Sequence, residues 1–526
     1  MSQDSDTAFT DESAQALLVA FLTEGGATDG KPPEVIETHV SRVFLGETRA
    51  WKLKRAVTFP YLDFADPAAR HAACDDEVSI NRRTAPDIYL GVTAVRRGAD
   101  GEFTLGDGEG EIVDWLVAMR RFDEAGLFDR LAAAGALDRR TMQALADGIA
   151  DFHENADALD ARGGAAGTGL IVANNAESFA GAPEGILDAA KVAMLNAGAA
   201  ALVEDLAPAL DARRAAGAIR HCHGDLHLRN ICMINGRPTL FDAIEFNRDF
   251  ADIDVLYDLA FLLMDLDDRG LERLASIVFN RYFDVTGELV ARPDALRVMP
   301  LFLSMRAAVR AHVDAQQAGS LSDAGQRARR ADEARRYLDL ALGYLAPSAP
   351  RLVAVGGLSG SGKSRMSREI ATFVGARPGA RVVRTDVTRK RLHGVAPEVR
   401  LPDSAYSGDT HVRTYDAFMA ELRDGLGQGH SVIADGVFAG PRQRAAVRAL
   451  ADEMGVPFTG LWMTAPDDVM AARVNARRGD ASDATEDVLR QQLEYDLGEI
   501  EWLKIDSSGD KAATLAAGRA ALDRSQ

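Results

Sequence analysis

The stretch GLSGSGKS at residues 357–364 constrains this chain more than any other, because it fits G-x4-G-K-[ST] without a mismatch and its flanks fit as well. LVAV just before it reads as a strand buried on both faces, and SRMSREIATFV just after it reads as a helix. A glycine-rich turn from strand to helix can aim its backbone N–H groups inward around phosphates. The spacing predicts a nucleotide cradle of Gly357, Leu358, Ser359, Gly360, Ser361, Gly362, Lys363 and Ser364. Lys363 is expected on the β- and γ-phosphates and Ser364 on Mg2+.

Further strands read at RVVRTD, SVIADG and FTGLWMTA. Ligands of open α/β sheets bind at the carboxyl ends of the strands. Asp386 and Asp435 end two of these strands. Asp386 is placed to act as base toward a substrate hydroxyl, and Asp435 to hold the Mg2+ shell; a helix cap or a turn is the plainer role for either. In RVNARRGD, Arg473 and Arg477 lie four apart on a predicted helix, with Arg478 as alternate. Like charges at that spacing repel by a few tenths of a kcal/mol, which an anion between them would offset. A solvated basic face is the plainer alternative to a lid that carries them onto a transferring phosphoryl group.

RTDVTRKRLHGV and RRGDASDAT complete a region, about 350–515, that resembles the small P-loop kinases grouped with gluconate kinase, zeta-type toxin kinases, chloramphenicol phosphotransferase and polynucleotide 5′-kinase. The resemblance implies phosphoryl transfer to a hydroxyl and leaves the acceptor open.

HCHGDLHLRN at 221–230 first suggests a metal site, since His221, His223 and His227 stand close to Cys222 and Cys232. His-x-His-x3-His is not a zinc spacing of paired ligands. Asp225 followed five residues later by Asn230 is instead the spacing of a kinase catalytic loop, in which the Asp takes a hydroxyl proton and the Asn holds Mg2+. A second metal Asp is needed. ICMI and PTLF flank Asn235-Gly236, a tight-turn signal, so the two strands should return Asp242 to the side of Asn230. His223 and His227 then read as loop-orienting groups.

HGDLHLRN followed by FDAIEF resembles the aminoglycoside phosphotransferase family, a branch of the protein-kinase-like fold, over roughly residues 35–345. The resemblance implies a lysine for the nucleotide phosphates and a helical glutamate paired with it. AWKLKR offers Lys52 and Lys54 on one strand face, with Lys52 slightly favoured. Glu77 is the expected partner and Asp76 the alternate. Asp254 and Asp258 read as structural, and Arg306 and Arg310 as partners of nearby acids. No G-x-G-x-x-G precedes the lysines, a departure that leaves open a ligand-sensing role without turnover.

The fold class expected is thus α/β and α+β: a bilobal protein-kinase-like fold followed by a parallel-sheet P-loop domain. The expected boundaries are an N-terminal extension (1–34), a kinase-like domain (35–345, dividing near 120), a proline-marked linker APSAP (346–350), a P-loop domain (351–515) and a tail (516–526). The Ala/Gly stretch 163–187 reads as loop. Three cysteines cannot make a disulfide framework, and neither a secretory signal nor an apolar run of membrane length is present, which places the chain in the cytoplasm. Residues 351–526 hold 24 of the 60 Lys and Arg and 24 of the 79 Asp and Glu, so the net charge of −19 belongs to the first 350 residues. That acidity speaks against broad nucleic-acid coating, although the basic run 377–391 keeps nucleic-acid end phosphorylation as an alternative. The expectation is a tandem phosphotransferase using ATP and Mg2+ on a small-molecule hydroxyl, of unassigned oligomeric state.

Overall fold

The computed structural model describes residues 9–59, 62–476 and 481–524. They form two compact units, one of residues up to 158 with 220–253, the other of 159–219 with 254 onward.

In the first unit, β1 (Glu34–Glu37), β2 (Ser41–Leu45), β3 (Arg49–Lys54), β4 (Tyr89–Arg97), β5 (Phe103–Leu105) and β6 (Glu111–Arg120) make an antiparallel sheet ordered β1-β2-β3-β6-β4-β5. Alternation decides its two faces. Trp51, Leu53, Leu116 and Ala118 pack with Phe9, Leu18 and Leu22 of the N-terminal segment. Val117 and Tyr89 pack on the other side with Cys74 and Val78 of α2 (Pro67–Asn81). α2 begins where Asp66 caps the Ala68 amide and Pro67 takes the first turn.

Residues 1–34 were expected to be an extension. The described part of that segment instead carries α1 (Glu12–Thr23), and its Gln15 is fully buried. Gln15 donates to Lys54 O at 3.0 Å and Asp114 Oδ2 at 2.7 Å, and its Oε1 accepts the Ala56 amide at 2.9 Å. Beside this sheet α2 carries the fully buried Glu77. The hairpin of β7 (Ile231–Ile234) and β8 (Arg237–Leu240) belongs to the same unit. Asn235 and Gly236 both have positive φ, 50° and 76°, as a two-residue hairpin turn of this hand requires.

In the second unit, residues 163–187, expected from their Ala/Gly composition to be loop, instead carry α3 (Gly164–Ala180). It buries Thr168, Val172, Asn175 and Phe179, a helical spacing that its glycines hide. α4 (Val255–Asp268) is buried on every side from Val255 to Leu266. α5 (Glu272–Thr286), α6 (Met299–Ser320) and α7 (Ala324–Leu345) follow. Asp254 caps α4 and forms a buried ion pair with Arg213 at 2.8 Å. Arg306 lies over the Tyr257 ring near Asp258, and Arg310 meets Asp314, so these charges pair as expected.

Beyond the prolines comes a parallel sheet, ordered β10-β11-β9-β12-β13 from β9 (Leu352–Gly356), β10 (Arg381–Arg384), β11 (Val432–Asp435), β12 (Phe458–Thr464) and β13 (Leu503–Asp506). All of β9 is buried, which is why it reads as an unbroken apolar run. The helices that matter to the site are α8 (Lys363–Ile370), α9 (Thr385–Leu392), α10 (Gly408–Gly427), α11 (Asp467–Asn475) and α12 (Lys511–Asp523). The expected tail is largely α12, whose Ala521 and Leu522 join the sheet's core.

The linker at 346–350 does not separate the two units, because chain on both sides of it belongs to the second. Asn280 of α5 accepts the Val382 amide at 2.8 Å and donates to Ala380 O at 3.3 Å, so its carboxamide pairs with the edge strand β10. Arg381, fully buried, bonds Asp284 at 2.5 Å and Asn280 Oδ1 at 3.1 Å. The three cysteines are buried and form no disulfide with one another. Among the described residues no single helix is long and apolar enough to cross a membrane.

Candidate functional site

In the first unit the hairpin does what its turn residues demand. Phe241 N donates to Asn230 O at 3.0 Å, which brings residue 242 back beside residue 230. Asn230 Nδ2 donates to Asp225 Oδ2 at 2.8 Å and to Asp225 O at 3.0 Å, leaving the amide oxygen for a cation. Gly224, at φ 81°, lets the loop turn; a Cβ there would meet Phe250 O at 2.9 Å.

The histidines are engaged elsewhere. His221 Nδ1 meets Asp252 at 2.7 Å, His223 Nε2 meets Phe241 O at 2.9 Å, and His227 Nε2 meets Asp225 Oδ2 at 3.3 Å. The latter two orient the loop through backbone and carboxylate, as expected of them.

Asp242 sits at φ 60°, its amide held by Tyr89 OH at 3.1 Å, and its side chain is 43% exposed. Lys52 Nζ bridges Asp242 Oδ1 at 2.6 Å and Glu77 Oε1 at 2.8 Å. Burial alone would depress Lys52, but Asp242, Glu77 and Glu245 outweigh it and hold the ammonium well above its ordinary pKa. Glu77, though buried, is held low by the two lysines.

The two lysines left open by the sequence are thereby distinguished. Lys52 reaches Asp242, the residue that the hairpin returns beside Asn230. Lys54 is completely buried between Glu77, at 2.5 Å, and Glu245. Glu245 escaped the sequence reading; burial raises its pKa although Lys54 opposes the shift. Asp76 takes no part in this network.

In the second unit Lys363 and Ser364 open α8 immediately after the loop. Ser364 hydrogen-bonds Asp435, whose carboxyl burial pushes up in pKa against the pull of Arg384 and Lys363. Arg384 Nε lies 3.3 Å from Asp435 Oδ2, short of hydrogen-bond geometry, and that oxygen is buried without a hydrogen bond. Asp386 occupies the first turn of α9 at the sheet's carboxyl edge.

Arg473 is braced rather than free to swing: its guanidinium bonds Ser507 Oγ at 2.9 Å, Ser507 O at 2.6 Å and Gly360 O at 3.3 Å. Ser507 donates in turn to Ser361 O at 2.7 Å, and Gln492 accepts the Ser359 amide at 2.8 Å. Neither residue carries a motif that would have revealed it. A cavity of about 340 Å³ runs along the loop, lined by Gly362, Lys363, Ser364, Arg473, Ser507 and Lys511 among others. Arg477 and its alternate Arg478 lie outside the described residues.

The basic run 377–391 is neutralised from within. Arg377 pairs with Asp267 at 2.8 Å, Arg381 with Asp284, Arg384 with Asp435, Lys390 with Asp483 at 2.6 Å and Arg391 with Glu421. Arg389 has no carboxylate among the described residues.

Residues 352–495 match a family described as an AAA domain. An uncharacterized protein of Mycobacterium tuberculosis and one of Mycobacterium bovis are each 30% identical to this chain over 506 residues, covering 93% of it and 96% of them. Among solved structures, the GDP complex of an aminoglycoside 2′-phosphotransferase-IIIa is 15% identical and covers 62% of this chain and 98% of its own, at TM-score 0.37. A gluconokinase from Sinorhizobium meliloti is 21% identical, covering 34% of this chain and 94% of its own, at TM-score 0.24.

Proposed function

The chain belongs to the family of those Mycobacterium tuberculosis and Mycobacterium bovis proteins, which it matches over 96% of their length, and we propose that it is a phosphotransferase with two ATP-dependent sites. The observation that carries the reading is the convergence of Lys52, Glu77 and Asp242 in one unit, with Asp225 and Asn230 on the same loop system. In the other unit the P-loop Ser364 meets Asp435.

Magnesium nucleotide suits both donor sets. Asp242 is open to solvent and the Asn230 amide oxygen faces away from its bond to Asp225. Asp435 Oδ2 and Ser361 Oγ are buried without hydrogen bonds beside the P-loop. Asn230 and Asp242 in the first site, and Ser364 with Asp435 in the second, would hold Mg2+, which would supply positive charge against the phosphates.

In the first site Asp225 takes the proton of the acceptor hydroxyl, and the His227 contact fixes the carboxylate's rotamer. Lys52 gives up its contact with Asp242 to hold the α- and β-phosphates while Glu77 keeps it oriented. In the second site the loop amides and Lys363 hold the phosphates, Asp435 orients Ser364, and Asp386 takes the hydroxyl proton. Arg473 keeps a positive charge beside the loop. The acceptors are small molecules, because the internally neutralised basic run offers a nucleic-acid backbone few cations.

A ligand sensor in the first unit is the second reading. It is favoured by the turn between β1 and β2, Thr38, His39 and Val40, which holds no glycine to cradle phosphates.

The test is ATP-dependent phosphate transfer into a cytosolic metabolite extract, followed by mass spectrometry for wild type, Asp225→Asn and Lys363→Ala. One product lost with each variant supports two active sites. Loss with Lys363→Ala alone assigns the first unit to sensing, and an unchanged product profile in both variants refutes the proposal.

A further inference from the structure

A pair of buried charges beside the first site, Lys54 and Glu245, has no part in the chemistry proposed for it. Lys54 is wholly buried and Glu245 is 5% exposed. An apolar pair of similar volume would be at least as stable as two buried ions, so their presence is to be explained by position rather than by stability. Lys52 and Lys54 share one strand face, and Glu77 divides its carboxylate between them: Oε1 lies 2.8 Å from Lys52 Nζ, and Oε2 2.5 Å from Lys54 Nζ. Lys52 goes on to Asp242 at 2.6 Å, and Lys54 to Glu245. Charges of alternating sign thus run Asp242, Lys52, Glu77, Lys54, Glu245. The run closes into a ring, because Asp242 and Glu245 are neighbours on one short segment.

Lys52 and Lys54 balance Glu77 and Glu245, so the buried members of the ring sum to zero charge without Asp242, which is 43% exposed. Asp242 is left over for a cation, and Glu77 keeps a positive partner whenever Lys52 moves away. Further bonds tie α2 to the segment that carries Asp242. The buried Asn81 accepts the Ala243 amide on Oδ1 at 2.9 Å, and Thr84 Oγ1 just beyond the helix donates to Leu240 O at 2.8 Å. On the opposite side of the ring, Gln15 holds the Lys54 carbonyl at 3.0 Å. In protein kinases the placement of the helical glutamate against its lysine is what activation controls. Here that placement is fixed by contacts that do not involve Lys52.

Resting on the reading of the first unit as a nucleotide site, we propose that Lys54 and Glu245 are positioning residues that act through Lys52. Lys54 holds Glu77 in place and supplies it with counter-charge, so Lys52 passes from Asp242 to the nucleotide phosphates without stranding a buried carboxylate. Glu245 sets how much of the Lys54 charge Glu77 receives. The helix does not have to swing, and the phosphate lysine is ready before nucleotide arrives.

The experiment is calorimetric titration of the full-length Lys363→Ala chain with Mg2+ and ADP, whose α- and β-phosphates suffice to engage Lys52. Lys363→Ala removes the P-loop lysine, and binding is assigned to the first site only where Lys52→Met weakens it. Lys54→Met combined with Glu245→Leu keeps the net charge, and with it the long-range field, but leaves Glu77 to Lys52 alone. The Kd for ADP should then rise about 10-fold or more, the worth of one hydrogen bond to a charged group. Adding Lys52→Met to that variant should raise Kd by less than about 2-fold further, because effects that act through one residue do not add. Glu245→Gln keeps the side chain's shape, gives Glu77 more of the Lys54 charge, and should lower Kd about 3-fold. It decides the matter alone if the pair-replaced chain does not fold. A folded pair-replaced chain that binds as its parent does, full additivity with Lys52→Met, or Glu245→Gln binding no more tightly than its parent overturns the inference. If no ADP binding depends on Lys52, the nucleotide reading of the first unit falls, and the inference with it.

Discussion

Lys54→Met isolates what the second lysine of β3 contributes. Lys54 and Glu77 are fully buried and Glu245 is 5% exposed, so the substitution leaves two buried carboxylates facing Lys52 alone. Removing one partner from a buried ion pair costs about 3–5 kcal/mol, whereas exchanging both partners for apolar groups is close to neutral. Lys54→Met should therefore destabilise the first unit by about 3 kcal/mol or more, and Lys54→Met with Glu245→Leu should recover most of that. Lys52→Met should cost only about 1 kcal/mol, because Glu77 keeps Lys54 and the exposed Asp242 returns to water. The assay is hydrogen exchange on β3 and α2 peptides across a urea series. With a slope near 2 kcal/mol per molar, Lys54→Met moves the midpoint by about 1.5 M or more. A cost below about 1 kcal/mol, or a double variant no more stable than the single, would refute the reasoning.

Two buried histidines of the second unit set its acid limit. Burial lowers both His312 and His430 to about 4, from an ordinary 6.5. For a depressed histidine the native state refuses the proton that the unfolded chain takes. Stability is therefore full above about pH 6.5 and falls as the pH drops toward 4, by about 3 kcal/mol for each group. His430→Gln should flatten the dependence of the urea midpoint between pH 6.5 and 5 by one proton's worth, and an unchanged slope excludes the assignment. Separately, Arg381→Ala should destabilise the second unit by about 3 kcal/mol, since it leaves Asp284 only 12% exposed and unpaired. Urea unfolding followed through Trp462 and Trp502 reads this, and a loss under about 1 kcal/mol contradicts it.

Features legible in the sequence were those written in local chemistry. The P-loop announces itself by glycines, a lysine and an apolar strand, and the hairpin by Asn235-Gly236, which alone places Asp242 beside Asn230. Lys52 and Glu77 needed only one strand face and one helix. Long-range pairings stayed hidden. Lys54 and Glu245 are 191 residues apart, and no local pattern tells a buried lysine from a functional one two positions away. Asn280 and Arg381 likewise belong to segments that a proline-marked linker seemed to separate. The glycines and alanines of α3 concealed its buried stripe, and α1 looked like an appendage because its anchor, Gln15, is polar.

The carboxamide of Asn280 lying along β10 has a consequence for handling the protein in pieces. The exposed margin of a sheet, with its unused amides and carbonyls, is a template for self-association. Here that margin is shielded by a side chain encoded a hundred residues earlier. A fragment starting at residue 351 would retain every phosphate-binding residue of the second site, yet present a bare margin and an unpaired Arg381. Such a fragment should clump on expression, and subcloning at the linker would yield aggregate where the full-length chain stays dispersed.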